Sequence, residues 1–296
     1  MDLTIATCSA LPEPDPDERP LLDALAAAGV ETRLAAWDDP EVDWGASALT
    51  VVRSTWNYPE DRDGFLDWMR RVSGDSTVLR NPMSVMAPNT HKGYLAALER
   101  AEVPVVPTRW FARGGRAANA DALRALPWDR IVVKPAVGAG SRGVRAFDLQ
   151  LDDDVDAAAA HAMALQAQGE VLVQPQLESV ATEGERDIVW IDGEITHVVT
   201  KRPRMEGDDE LVLEPRAATD EEHWVAMRAL RTVPALTQRE LLYARVDVAA
   251  DELGTLRVME LELVEPSLFV ALHEPAMQRL VRALARDAGR AHAAAN

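Results

Sequence analysis

Lysine is nearly missing from this chain. Of 31 basic residues only three are lysine: Lys92, Lys134 and Lys201. Cysteine is rarer still, because Cys8 stands alone; this excludes an internal disulfide and a cysteine-built metal site. Six histidines are scattered, and no pair has the spacing of two ligands on one helix face, so no zinc site is expected. Positive charge is short overall. With 31 basic against 49 acidic residues the net charge is -18, which argues against nonspecific binding to DNA, RNA or an anionic membrane. No run of about 18 apolar residues marks a membrane-spanning helix. The opening MDLTIATCSALPEPDPDERP has neither the basic nor the apolar region of a signal peptide, so a soluble cytoplasmic protein is the simplest expectation. The sequence also has no internal repeat and no low-complexity linker.

What is present is ample core material: 296 residues, 47% of them hydrophobic, near the size at which one core divides into two or three. The first 80 residues alternate short apolar runs (LTIAT, ETRLAAW, ALTVVRST, TVLRN) with helical patterns (RPLLDALAAAGV, EDRDGFLDWMRRV), a β-α-β rhythm that predicts a parallel sheet. The NP and APN turns near 81–89 predict a domain boundary. A helix is expected over 90–102, carrying Lys92, then a Pro-punctuated strand VPVVPTRWF, a short helix DALRAL and the strand RIVVKP. An Ala-rich helix with acidic residues at its start follows, then the strand EVLVQPQL. ERDIVWIDGEITHVVTKRP reads as a hairpin turning at Asp192-Gly193. A helix over 219–231, two strands about a DELG turn and an amphipathic helix over 275–292 complete the chain.

Three features carry chemistry. The first is the lysine scarcity itself. Where composition drives exchangeable cations to arginine, a surviving lysine marks a place that suits a compact point charge rather than a planar fork. The second is VVKPAVGAGSRGVRAFD, in which Gly138, Gly140 and Gly143 spell G-x-G-x-x-G. A dinucleotide site needs a helix after these glycines, but VRAFDLQ reads as a strand, and Asp152–Asp154 come too early to be the ribose-binding acid, which lies roughly 20 residues on. The loop also lacks the Walker pattern. It is a strand–loop–strand hairpin whose backbone N–H groups and Ser141 hydroxyl either close over phosphates or face solvent. The third is a carboxylate face. Glu260 and Glu262 share one face of RVMELEL, and Arg245 and Asp247 share one face of YARVDV. Folding the strands about 251–254 sets Asp247 near Glu260 and Arg245 near Glu262. Each carboxylate repulsion at about 4 Å and an effective dielectric near 20 is on the order of 4 kcal/mol. Either the acids splay into water or a divalent cation neutralises them, and oxygen-only ligands on strands suit Mg²⁺.

Taken in order, VVKPAVGAGSRGV, VLVQPQL, EGERDIVWIDGE and ARVDV…RVMELELVEP resemble the ATP-grasp family over nearly the whole chain. Within it, VVRSTWNYPEDRDGFLDW resembles the branch that contains the D-cycloserine-forming ligase, O-ureido-D-serine cyclo-ligase. The resemblance implies a mixed α/β and α+β fold in three parts: a pre-ATP-grasp domain over 1–88, a small subdomain with the glycine-rich flap over 89–177, and a C-terminal subdomain with the Mg²⁺ site over 178–296. It implies ATP and Mg²⁺ as cofactors. Lys92 and Lys134 match the lysines that contact ATP phosphates, together with the flap residues Gly138, Gly140 and Ser141. Lys201 matches a further phosphate-facing cation. Gln174, Gln176 and Leu177 match the adenine-reading hinge, and Glu185 the ribose acid, with Glu183 a nearby rival. Asp247, Glu260 and Glu262 match the metal ligands, and Arg245 the arginine at the reacting centre. Arg53, Glu265 and Ser267 are substrate candidates; for Arg53 and Trp56, a surface turn is the other reading.

The implied reaction is ATP-dependent carboxylate–amine ligation through an acyl phosphate, releasing ADP and phosphate. The substrate is a small amino-acid-like molecule, cyclised as in D-cycloserine formation or joined to a second amino acid or peptide. No nucleic acid or membrane partner is expected, and a homo-oligomer stays open. A noncatalytic nucleotide-binding protein and, through G-x-G-x-x-G alone, a nicotinamide oxidoreductase are the rival classes. Two departures stand out. Many family members have Glu-x-Asn where this chain has Glu260-Leu261-Glu262, and 202–218 lacks the glycine-rich loop of many relatives.

Overall fold

The β-α-β rhythm of the first 80 residues builds a parallel sheet of β1 (Leu3–Thr7), β2 (Thr32–Ala36), β3 (Leu49–Val52) and β4 (Val78–Arg80), in the order β2-β1-β3-β4. The computed structural model describes residues 2–74, 77–202, 211–234 and 240–295. Helix α1 (Glu18–Ala27) buries Leu21 and Leu25, and Gly29, at φ +76°, turns the chain out of it toward β2. Helix α2 (Arg62–Gly74) buries Phe65, Trp68, Met69 and Val72 in an aromatic cluster with Trp37, Trp44 and Tyr58.

The expected turns near 81–89 are instead a helix, α3 (Met83–Asn89). Pro82 sits at its N-cap and Pro88 in its last turn, so the two prolines remove few internal hydrogen bonds. The next helix, α4 (Tyr94–Arg100), is shorter than expected, and Lys92 precedes it. The Lys92 amide is tied instead to the carbonyl of Ala136, at 2.7 Å. VPVVPTRWF yields only β5 (Arg109–Phe111), because Pro104 and Pro107 cannot donate to a ladder; Val105 forms one isolated bridge to Val258.

The second sheet is antiparallel, in the order β5-β8-β6-β7, with β6 (Arg130–Pro135), β7 (Arg145–Asp148) and β8 (Val171–Pro175). Helices α5 (Ala120–Arg124) and α6 (Asp152–Gln168) cover it, and the buried Ala158, Ala159 and Ala162 let α6 approach closely. A short helix, α7 (Glu178–Thr182), leads to the third sheet. This sheet has the order β11-β10-β9-β12-β13, with β9 (Glu185–Ile191), β10 (Glu194–Arg202), β11 (Leu211–Val212), β12 (Tyr243–Ala250) and β13 (Leu256–Glu262). The β9–β10 turn has positive φ at both Asp192 (43°) and Gly193 (101°), as a tight hairpin demands. Helix α8 (Asp220–Leu230) begins with a Thr219–Glu222 capping box.

Helix α9 (Glu274–Ala295) returns to the N-terminal sheet, where Met277, Leu280 and Leu284 join one core with Leu3, Ile5, Leu49 and Val51. Two asparagine side chains, the buried Asn81 and the half-buried Asn89, also tie the N-terminal third to β12 and β13. Asn81 donates to the carbonyls of Tyr243 (2.9 Å) and Leu263 (2.8 Å) and accepts from the Leu242 amide (2.7 Å). Asn89 clamps Leu261 and Leu263 in the same way, at 2.8 Å each. The acid-bearing strands are therefore held from outside their own sheet.

Candidate active site

Strands β9, β12 and β13 are adjacent, and their registers bring charged residues together in two rows. Asp187 lies opposite Asp247, Asp247 opposite Glu260, and Arg245 opposite Glu262. The alternate residues Ile188, Trp190, Val246 and Leu261 point into the apolar core on the other face. Burial of that face leaves the charged face one orientation.

Four cations meet these acids. Lys92, from the approach to α4, places Nζ 2.6 Å from Glu260 Oε2, and Lys134, from β6, places Nζ 3.0 Å from Oε1 of the same carboxylate. Lys201, on β10, lies 3.1 Å from Asp187 Oδ2. Arg245 grips Asp247 with Nε (2.7 Å) and Nη2 (2.9 Å) and reaches Glu262 Oε1 at 2.8 Å. All three of the rare lysines therefore converge on one acidic face.

The charges reshape each other's protonation. Burial works to raise the Glu260 carboxyl, but the Lys134 and Lys92 ammoniums outweigh it and hold the group well below the ordinary range. Burial, with the charges of Asp247 and Glu260, pushes Glu262 up to about 7 against the pull of Arg245. Glu265, just past β13, rises to about 8 through burial and the charge of Glu262. Burial also drives Asp187 well above its usual value despite Lys201. Desolvation would lower Lys201, but Asp187 and Glu185 hold it above the ordinary lysine value.

Asp187 is the residue that sequence reading passed over. It is fully buried; Oδ2 is ion-paired with Lys201 at 3.1 Å, whereas Oδ1 has no hydrogen-bond partner. With Glu185 and Asp247 it forms a set of ligand oxygens lying within 4.8 Å of one another. An oxygen-only, strand-borne donor set with one buried carboxylate oxygen, Asp187 Oδ1, left without a partner fits a hard divalent cation such as Mg²⁺. The signal was its i+2 spacing from Glu185 on one strand.

The remaining candidates divide. Glu185 faces the charged cluster, feeling Lys201, Asp247 and Glu260, whereas its rival Glu183 is exposed and paired with Arg186 at 2.7 Å. Gln174 is buried and donates to Thr108 Oγ1 at 2.8 Å. The Gln176 amide donates to the Arg130 carbonyl at 2.9 Å, and Leu177 joins an apolar cluster with Val106 and Ala249. Gly138 packs against Pro135 at the base of the flap, whose tip turns through positive φ at Gly140 (60°), Ser141 (57°) and Gly143 (76°). Arg53 is buried, and its guanidinium is occupied by the Pro266 carbonyl (2.9 Å) and Asp17 (3.6 Å). Trp56 donates to the Glu265 carbonyl at 3.0 Å. Both residues thus hold the backbone of Glu265 and Pro266. Ser267 meets Arg245 through its backbone carbonyl, at 3.2 Å.

Three sheets, with cations from the approach to α4, β6, β10 and β12 meeting carboxylates on the β9–β12–β13 face, make the architecture of an ATP-grasp ligase. The chain matches the solved structure of the ATP-grasp ligase PsnB, determined with a phosphomimetic variant of its minimal precursor, Mg and ADP (18% identity, 97% of this chain and 99% of that one, TM-score 0.65). It also matches D-alanine–D-alanine ligase from Bacillus anthracis (14% identity, 97% of each chain, TM-score 0.69). Residues 3–81 match the family model described as D-cycloserine synthetase DcsG, N-terminal domain. The cycloserine biosynthesis protein DcsG of Streptomyces lavendulae is 34% identical over 283 residues, covering 92% of this chain and 93% of that protein. The crystal structure of D-cycloserine synthetase DcsG superposes with a TM-score of 0.85 at 32% identity, covering 98% of this chain and 99% of that one. The chain belongs to the DcsG family of ATP-grasp ligases and is an ATP-dependent ligase. No helix among the described residues is long and apolar enough to cross a membrane.

Proposed function

We propose that this enzyme activates the carboxylate of a small amino-acid derivative with ATP and closes a ring by attack of the molecule's own amine-type nitrogen; its likeness to a protein named D-cycloserine synthetase supports a cyclic product. The observation that carries the reading is the meeting of Lys92, Lys134, Lys201 and Arg245 with five carboxylates on one strand face. Such a density of fixed charge suits phosphoryl transfer, in which the protein supplies position and electrostatics more than covalent chemistry.

In this reading Lys92 and Lys134 exchange Glu260 for the phosphates of ATP when the nucleotide enters. Lys201 adds positive charge beside the transferring group. The substrate carboxylate oxygen attacks the γ-phosphorus, the bond to the β-phosphate oxygen breaks, and ADP leaves. The nitrogen then attacks the acyl carbon, a C–N bond forms, the C–O bond to phosphate breaks, and a proton is lost from nitrogen. Arg245 neutralises the oxyanion between these steps. Asp247, Glu260 and Glu262 would hold Mg²⁺, with Asp187 and Glu185 as neighbouring oxygen donors; when bound, the ion offsets phosphate charge. Gln174, Gln176 and Leu177 would frame the adenine, Glu185 the ribose, and Glu265 and Ser267 the substrate end. The division at 1–88, 89–177 and 178–296 is proposed with them.

The test is ADP and phosphate release from MgATP across D- and L-amino acids, O-ureidoserine included. Release that depends on one such substrate and yields a cyclic product is expected. A dipeptide product would replace cyclisation with intermolecular ligation. Stabilisation by MgATP without turnover on any substrate would overturn the enzymatic reading.

A further inference from the structure

The tip of the glycine-rich flap reaches the N-terminal unit. Arg142 places Nη1 2.5 Å from Glu60 Oε1, and its Nη2 donates to the carbonyl of Trp56 at 2.7 Å. Behind it, Val137 and Ala139 pack on the cluster that holds Trp37, Phe65 and Trp68. On its far side, Trp56 gives its indole N–H to the carbonyl of Glu265, at 3.0 Å, next to the acid strand. The 3-10 turn Tyr58–Glu60 also carries Tyr58, whose ring stacks on Phe65 at 5.1 Å and whose phenol feels the charges of Glu265, Glu262 and Glu260. One turn, 56–60, therefore touches the flap on one side and the site on the other.

The Arg142–Glu60 pair is 43% and 66% exposed, and such a pair adds little to the stability of a fold. It acts on something more delicate. The flap tip has three residues in left-handed conformations, with Val137 and Ala139 packed on the aromatic cluster and the Gly143 carbonyl 2.9 Å from His161 Nε2, and a contact worth a small energy is enough to shift a two-state balance several-fold. A guanidinium that spans a carboxylate and a carbonyl fixes direction as well as distance.

We propose that Arg142 is a positioning residue that latches the flap to the 56–60 turn and keeps water from the activated substrate. The proposal rests on the ligase reading above. Water attacking the acyl carbon breaks its bond to the phosphate oxygen, returns the carboxylate and releases phosphate. Each such event consumes ATP without making a C–N bond. Closure is also felt at Glu265 through Trp56, which links the latch to the substrate end.

The experiment measures ADP formed per ring closed, and amide hydrogen exchange over 137–144 and 56–60, in the intact enzyme with MgATP. The wild type should release one ADP per product. Arg142→Gln should raise that ratio several-fold, to about tenfold at most, and lose exchange protection in both segments. Arg142→Lys should restore part of each, and the Glu60→Arg/Arg142→Glu double variant should recover more than either single change. A slower Arg142→Gln enzyme that still makes one product per ADP, or one with unchanged protection in both segments, overturns the latch. If wild type forms no product with any substrate, the ligase reading fails, while the exchange comparison still decides whether Arg142 closes the flap. If Arg142→Gln does not fold, Glu60→Gln carries the same two readouts.

Discussion

Glu260→Gln is the most discriminating single substitution, because it has opposite effects on nucleotide binding and on turnover. Glu260 balances two ammoniums that are themselves nearly buried, Lys92 at 12% and Lys134 at 5% side-chain exposure. The substitution keeps the shape and removes the charge, leaving both cations without an anionic partner. Breaking a buried pair in this way costs about 3–5 kcal/mol. The unfolding midpoint in urea should therefore fall clearly in the absence of ligand. With EDTA present, ATP should then restore stability by more than it does in wild type, because its phosphates replace the missing anion. With Mg²⁺ present, turnover should be lost, because a proposed metal ligand has gone. Urea unfolding with and without ATP in EDTA, followed by ADP formation in Mg²⁺, reads all three. A variant as stable as wild type that gains nothing extra from ATP would refute the competition between Glu260 and phosphate, and normal turnover would remove Glu260 from the metal set.

Lys134→Ala should weaken MgATP binding by on the order of tenfold or more; thermal stabilisation by MgATP equal to that of wild type would remove its phosphate role. Asn81→Ala strips partners from the Tyr243 and Leu263 carbonyls and the Leu242 amide, all buried, so equilibrium unfolding should show a loss of roughly 3–4 kcal/mol. Burial and the neighbouring His273, stacked at 4.6 Å, push His197 down to about 4 from 6.5. The unfolded chain thus binds this proton first on acidification, and stability should fall between pH 6.5 and 4, by up to roughly 3 kcal/mol at the lower end. His197→Gln should flatten that part of the stability–pH curve, and an unchanged slope would show that His197 is not the titrating group.

The acid strands were the most legible part of the chain. Two alternating segments about a DELG turn allow few registers, and the observed pairs, Arg245 with Glu262 and Asp247 with Glu260, are those read from alternation. The lysines were legible for a different reason: rarity among arginines made each one informative. Asp187 escaped because its role depends on β9 lying beside β12, a neighbour more than 50 residues away, and no local pattern encodes that pairing. Helix α3 was hidden by its own prolines, which are turn signals wherever they fall but harmless at the two ends of a short helix. The jobs of Arg53 and Trp56 were also opaque. Their targets are backbone carbonyls at 266 and 265, which every residue type presents alike.

In the proposed reaction a substrate carboxylate is phosphorylated before the new bond forms. Incubating the enzyme with MgATP and its substrate labelled with ¹⁸O in the carboxylate, then weighing the released phosphate by mass spectrometry, tests this directly. One ¹⁸O atom should be carried into phosphate for each ring closed. Phosphate free of label, alongside normal product, would contradict the proposed reaction.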